Sequence, residues 1–100
     1  MKINKTSNNN ELTLTVIGEL NTTTYQELED VVKNSLNGIK KLVFDFKELE
    51  YISSAGLRVL LVSKKLMDQQ QGKLVVKNAN PSVKEIFDIT GFTNILDFED

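Results

Sequence analysis

A change of hydrophobic rhythm between residues 42 and 62 constrains the fold more than any other feature of the chain. Leu42-Val43-Phe44-Asp45-Phe46 alternates at period two, whereas Leu57-Arg58-Val59-Leu60-Leu61-Val62 follows helical spacing, with Tyr51-Ile52-Ser53-Ser54-Ala55-Gly56 between them. A strand that runs into a helix is the repeating unit of an α/β sheet, because parallel strands need a covering crossover. Two serines stand where that helix begins. A hydroxyl there can accept a hydrogen bond from the first unsatisfied helix amides. It is equally suited to carry a phosphate, since the positive end of the helix dipole favours anions.

The flanking sequence supplies the remaining elements. Lys2–Ser7 reads as a weak strand and Asn8-Asn9-Asn10 as a hairpin turn. Leu12, Leu14 and Val16 then alternate with Thr13, Thr15 and Ile17, the pattern of a half-buried strand, which Gly18 ends. Asn21-Thr22-Thr23-Thr24 offers several N-caps, and Thr24 with Glu27 is spaced for a capping box. Tyr25, Leu28, Val31, Val32, Ser35 and Leu36 share one helical stripe, Glu29 and Lys33 form an i,i+4 pair, and Asn37-Gly38 stops the helix.

Lys41–Phe46 is the next strand, with Leu42, Phe44 and Phe46 on one face. A helix over Ser53–Gln71 ends near Gly72, and Lys73–Lys77 is a short strand. Asn80 caps a third helix with Pro81 at its first position; Val83, Ile86, Phe87 and Thr90 form its buried stripe, and Gly91 closes it. Ile95–Phe98 is an edge strand. The order β-β-α-β-α-β-α-β predicts a mixed, largely parallel α/β sheet with one antiparallel hairpin at its start and helices mainly on one face.

Composition narrows the function. One hundred residues with 40% hydrophobic content fit a single domain over residues 1–100. Twelve basic and fourteen acidic residues give a net charge of −2, which leaves no electrostatic footprint for nucleic acid. The absence of cysteine and histidine removes disulfides, thiolate nucleophiles, the usual zinc ligands and the commonest general base. Asp45 has no paired acid, glycine-rich phosphate loop or nucleophile–base arrangement beside it, and is read as an acceptor for the amides of the following loop. No apolar run approaches the roughly 18 residues of a membrane span. Met1-Lys2-Ile3-Asn4-Lys5 lacks a signal-peptide core. The expectation is a cytoplasmic binding module without catalytic residues, metal or cofactor, and without nucleic-acid binding or direct membrane insertion.

Helix capping alone accounts for a serine at the junction, at about 1 kcal/mol. Three features of the neighbouring residues ask for more. Gly56 lies in the first turn of an otherwise strong helix, where glycine costs about 1 kcal/mol relative to alanine. Close packing or the approach of a partner backbone would explain it. Arg58 is a cation near the positive end of the helix dipole. Leu57, Val59, Leu60, Leu61 and Val62 wrap the helix with more apolar surface than one sheet face covers. Leu57 and Leu61 are therefore candidates to stay exposed beside Ser54, as an apolar patch of the kind protein partners use, with burial under an adjacent loop as the alternative.

The segment Leu49-Glu50-Tyr51-Ile52-Ser53-Ser54-Ala55-Gly56-Leu57-Arg58-Val59-Leu60-Leu61 resembles the signature of the STAS domain, specifically of stand-alone bacterial anti-sigma-factor antagonists. In that family an Asp-Ser-Ser/Thr-Gly-Leu segment follows the third strand, and its first serine is phosphorylated by the partner anti-sigma kinase. Gly18-Glu19-Leu20-Asn21, Lys41–Asp45, Asn80-Pro81-Ser82-Val83 and Gly91-Phe92 extend the resemblance over nearly the whole chain. It implies a STAS-like sheet, phosphorylation at Ser54 with Ser53 as the alternative, and a partner-binding surface of Asn21, Thr22, Ser53, Ser54, Gly56, Leu57, Arg58 and Leu61. The implied partners are an anti-sigma factor with serine-kinase activity and a phosphoserine phosphatase, and the implied outcome is control of sigma-factor-dependent transcription. The sequence departs from the family at three positions: Ser53 replaces the motif aspartate, Ala55 the second hydroxyl, and Asn21 a frequent aspartate. The competing reading is a non-switching STAS subunit of an ABC-type transport assembly.

Overall fold

In the computed structural model, which describes residues 1–99, the chain opens with a hairpin. Strand β1 (Lys2–Asn8) turns through Asn9, whose φ of 58° lies in the left-handed region, into β2 (Glu11–Leu20). Helix α1 (Tyr25–Ser35) follows, then β3 (Lys41–Asp45), β4 (Leu49–Ile52), α2 (Ser54–Gln69), β5 (Lys73–Lys77), α3 (Pro81–Thr90), a 3-10 turn (Phe92–Asn94) and β6 (Asp97–Glu99). The sheet runs β1-β2-β3-β5-β6, antiparallel at β1/β2 and parallel elsewhere, and β4 pairs in parallel with the end of β2.

Alternation decides which face is covered. Leu12, Leu14 and Val16 of β2, Leu42 and Phe44 of β3, and Leu74 and Val76 of β5 point into one cluster. That cluster also holds Leu28 and Val32 of α1, Val59, Leu60 and Met67 of α2, and Val83 and Phe87 of α3. All three helices thus lie on one side, as the alternation predicts. Each such fully buried aliphatic or aromatic side chain contributes about 1.5–3 kcal/mol. Phe44, Phe46, Phe87 and Phe92 form a chain of ring contacts with centroid separations of 5.7, 6.5 and 6.5 Å. On the opposite face, Val43 and Val75 sit in register on adjacent strands and are buried outside the main cluster.

Five expectations need correction. Thr90 does not belong to the buried stripe of α3: it is exposed, and its hydroxyl donates to the Ile86 carbonyl at the helix end while Val83 and Phe87 face the core. Strand β2 does not end at Gly18: that residue has φ 101°, the register shifts between Gly18 and Glu19, and two more residues pair with β4. Strand β4 itself was not foreseen, because its burial runs buried, exposed, exposed, buried and not at period two. The capping box of Thr24 and Glu27 does not form; Thr24 makes no cap bond because its hydroxyl holds the preceding loop. The last strand begins at Asp97, two residues later than expected, since Phe92–Asn94 coils into the 3-10 turn.

The cap of α3 is as expected and ties that helix to the sheet. Asn80 Oδ1 accepts from the Val83 amide at 2.8 Å, while its Nδ2 donates to the Leu49 carbonyl of β4 at 2.9 Å. The predicted Glu29–Lys33 pair closes at 3.3 Å. Among the described residues, no helix is long and apolar enough to cross a membrane.

Candidate functional site

The extension of β2 past Gly18 creates the site. Leu20 and Ile52 end their strands in register, and the Ser53 amide donates to the Leu20 carbonyl at 2.9 Å. The Asn21–Thr24 loop and the start of α2 therefore leave the sheet side by side. The loop is held by its own side chains. Asn21 Oδ1 accepts from the Thr23 amide at 3.0 Å and the Thr23 hydroxyl at 2.8 Å. Thr24 Oγ1 accepts from the Asn21 amide at 2.9 Å and donates to the Glu19 carbonyl at 2.9 Å. Thr22 is left exposed at the tip.

The two serines are not equivalent. Ser53 takes the N-cap position in an extended conformation, φ −98° and ψ 178°, and its carbonyl accepts from the Leu57 amide at 2.9 Å. Its hydroxyl does not cap the helix; Oγ is buried without a hydrogen-bond partner. Ser54 is the first helical residue and is exposed. Capping therefore explains neither side chain.

The next turn separates inward from outward residues. A Cβ added at Gly56 would meet Ile52 Cγ1 and Leu20 Cγ at 2.7 Å and Leu20 Cδ2 at 3.0 Å. Of the two explanations considered for this glycine, close packing is the one the structure supplies: the residue is buried against the ends of β2 and β4. Leu57 is corrected from exposed patch to core, with only 6% of its surface accessible. The reason is that α2 packs against α1 as well as the sheet, so more of its circumference is covered than a sheet alone would hide. Leu61, 42% exposed, does remain outside, and so does Arg58. They line a shallow groove with Val62, Lys64, Lys65 and Asp68.

Among the sequence-derived candidates, Asn21, Thr22, Ser54, Arg58 and Leu61 reach the surface at least in part; Gly56 and Leu57 do not, and the Ser53 hydroxyl does not. Two exposed residues escaped the reading: Tyr51, 47% exposed on β4 beside the junction, and Lys65 on the outer stripe of α2. Tyr51 was hidden by the missed strand. Lys65 was legible, because Ser54, Arg58, Leu61 and Lys65 follow the 4-3-4 spacing of a single helix face. Asp45 is a loop anchor as read: Oδ1 accepts from the Lys47 amide and from Asn78 Nδ2, both at 3.1 Å.

An outward hydroxyl at a helix start, a cation one turn on and an apolar side chain beyond it form a surface that can be bound and modified. The sequence matches the STAS domain family over residues 2–100. The chain belongs to the STAS domain family, among the anti-sigma factor antagonists. It is 40% identical over 79 residues to BtrV of Bordetella bronchiseptica, described as a candidate anti-sigma factor antagonist, covering 78% of this chain and 68% of that protein. It is 27% identical over 90 residues to the anti-sigma-B factor antagonist of Bacillus subtilis strain 168, covering 90% of this chain and 83% of that one. The fold is that of the Bacillus cell fate determinant SpoIIAA, solved in its phosphorylated form, with a TM-score of 0.78 at 13% identity over 99% of this chain and 92% of that one. In this STAS domain the family's motif segment is the β4–α2 junction.

Proposed function

We propose that this protein is a partner-switching regulator whose unphosphorylated form binds an anti-sigma factor with serine-kinase activity. Binding uses the Asn21–Thr22 loop tip with Ser54, Arg58 and Leu61, and it keeps the anti-sigma factor from holding its sigma factor. Phosphorylation at Ser54 releases the complex, and a phosphoserine phosphatase restores binding, so that sigma-factor-dependent transcription follows the phosphorylation state. The protein is a substrate and ligand in this cycle, acts in the cytoplasm, and performs no catalysis itself.

The observation that carries the reading is the exposure of Ser54 at the first position of α2, beside a buried Ser53 hydroxyl that a kinase cannot reach in the folded chain. A phosphate there adds about −1.5 to −2 charges, which a helix start tolerates and a desolvated partner surface does not. The names of the Bordetella and Bacillus relatives support the partner class, and SpoIIAA solved in phosphorylated form supports the kind of modification.

The test is phosphate transfer from ATP by the anti-sigma factor of the same cell, with the site mapped by mass spectrometry. One phosphate on Ser54 is expected, Ser54→Ala should bind and stay unmodified, and Ser54→Asp should lose binding while its melting temperature changes little. Tight binding by Ser54→Asp would refute the charge switch. Copurification of a transporter ATPase with no modified serine would favour the transport-subunit reading.

A further inference from the structure

We propose that Arg58 receives the Ser54 phosphate in an i,i+4 ion pair on α2, and that closing this pair withdraws Arg58 from the acidic partner group it otherwise meets. The inference rests on Ser54 being the modified residue and adds the atom group that answers the modification.

Two other helix cations show what Arg58 lacks, while Lys65 on α2, like Arg58, makes no ion pair among the described residues. Lys33 on α1 pairs with Glu29, four residues before it, at 3.3 Å. Lys64 on α2 pairs with Asp68, four residues after it, at 2.9 Å. Arg58 is exposed and, among the described residues, makes no ion pair. Its helical neighbours at three and four residues are Ser54, Ala55, Leu61 and Val62, and the first turn of α2 contains no acidic residue. The position that Glu29 holds for Lys33 is held for Arg58 by Ser54.

Phosphorylation turns that serine into the missing acid. On a helix, side chains four apart have Cβ atoms about 5–6 Å from one another, and an acid placed N-terminal to its base is the better of the two orders. A phosphate offers three acceptor oxygens to the planar fork of a guanidinium, which it can meet in a bidentate pair as a carboxylate does, with a larger charge. Before modification Arg58 is a cation near the positive end of the helix dipole with no internal counter-charge, in a chain whose net charge is −2. It is thus available to an acidic group on the partner. After modification its charge is satisfied within the helix. Release then has two parts, the charge added at Ser54 and the contact withdrawn at Arg58.

The pair can be tested without any partner. Phosphoserine is incorporated at position 54 during synthesis, and phosphorus-31 NMR follows its second ionisation, ordinarily near pH 6. At low ionic strength the midpoint should lie about 0.15–0.4 pH units lower in the chain with Arg58 than in Arg58→Gln. Arg58→Lys should keep a part of the difference. In about 1 M salt, where the screening length falls to roughly 3 Å, the difference should shrink. The helix dipole acts alike on all three chains, so it does not enter the comparison. Equal midpoints in the Arg58 and Arg58→Gln chains at low salt would overturn the pair. Because no kinase takes part, that result would leave partner release standing, whereas absence of phosphate transfer in the kinase assay would remove partner switching and leave the pair intact.

Discussion

Gly56→Ala isolates the packing that positions the start of α2. In an exposed helix the change should stabilise, since alanine is about 1 kcal/mol better than glycine in a helix interior. Here the new Cβ would lie 2.7 Å from both Ile52 Cγ1 and Leu20 Cγ. Neither is the far end of its side chain, and the two side chains are 1% and 0% accessible, so neither can swing aside into solvent. Overpacking of this kind costs about 1–3 kcal/mol, which offsets the helical gain and leaves a net loss of up to about 2 kcal/mol. A melting temperature about 4–8 °C lower per kcal/mol is expected for a domain of this size. Urea unfolding gives the free energy, and a cycle with Leu20→Ala tests the cause. Leu20→Ala alone should cost about 2–5 kcal/mol, but at least about 1 kcal/mol less once Gly56 is alanine, because the two changes then relieve one another. A Gly56→Ala protein stabilised by the full helical gain, or a cycle with no coupling, would refute the packing argument.

Further outcomes follow from the same geometry. Leu57→Ala should lose about 2–4 kcal/mol in urea unfolding, whereas Leu61→Ala should change stability by less than about 1 kcal/mol and weaken partner binding in titration calorimetry. Ser53→Ala removes a buried hydroxyl that has no partner, so stability should hold or rise by a few tenths to about 1 kcal/mol, and mass spectrometry should still find the phosphate on Ser54. Asn80→Ala breaks both the α3 cap and the bond to the Leu49 carbonyl, and a loss of about 1–3 kcal/mol by thermal or urea unfolding is expected.

Most of the fold was legible because its elements obey one period each. Leu12, Leu14 and Val16 alternate since β2 has one covered face, and the stripe of α1 repeats at helical spacing since only one side of that helix is buried. The misses fall where two constraints overlap. Gly18 reads as a strand end, yet its left-handed backbone serves a bulge that lets β2 change partners from β3 to β4. Strand β4 has only four residues, two of them exposed, too short to display a period. Leu57 was misplaced because a sequence shows that a helix is apolar all round, but not which neighbour covers the excess. Exposure at Ser54 followed from helix phase; the placement of Ser53 depended on its backbone bond to Leu20, more than thirty residues earlier in the chain.

At the start of α2 the side chains that hold the fold are separate from those proposed for recognition. Gly56, Leu57, Val59 and Leu60 face the core, and the Ser53 backbone holds α2 to the end of β2. Ser54, Arg58, Leu61 and Lys65 face away. A charge added at Ser54 consequently meets no buried group, and the helix dipole there favours it by about 0.3–1 kcal/mol, so the folded state is not opposed by the modification. The same charge at Ser53 would replace a hydroxyl that is buried and makes no hydrogen bond, where the desolvation cost of an ion is several kcal/mol. A domain whose relatives are binding proteins can thus be switched by altering its surface alone. On the proposed reading, the one-residue difference between the serines decides whether a phosphate would alter binding or oppose folding.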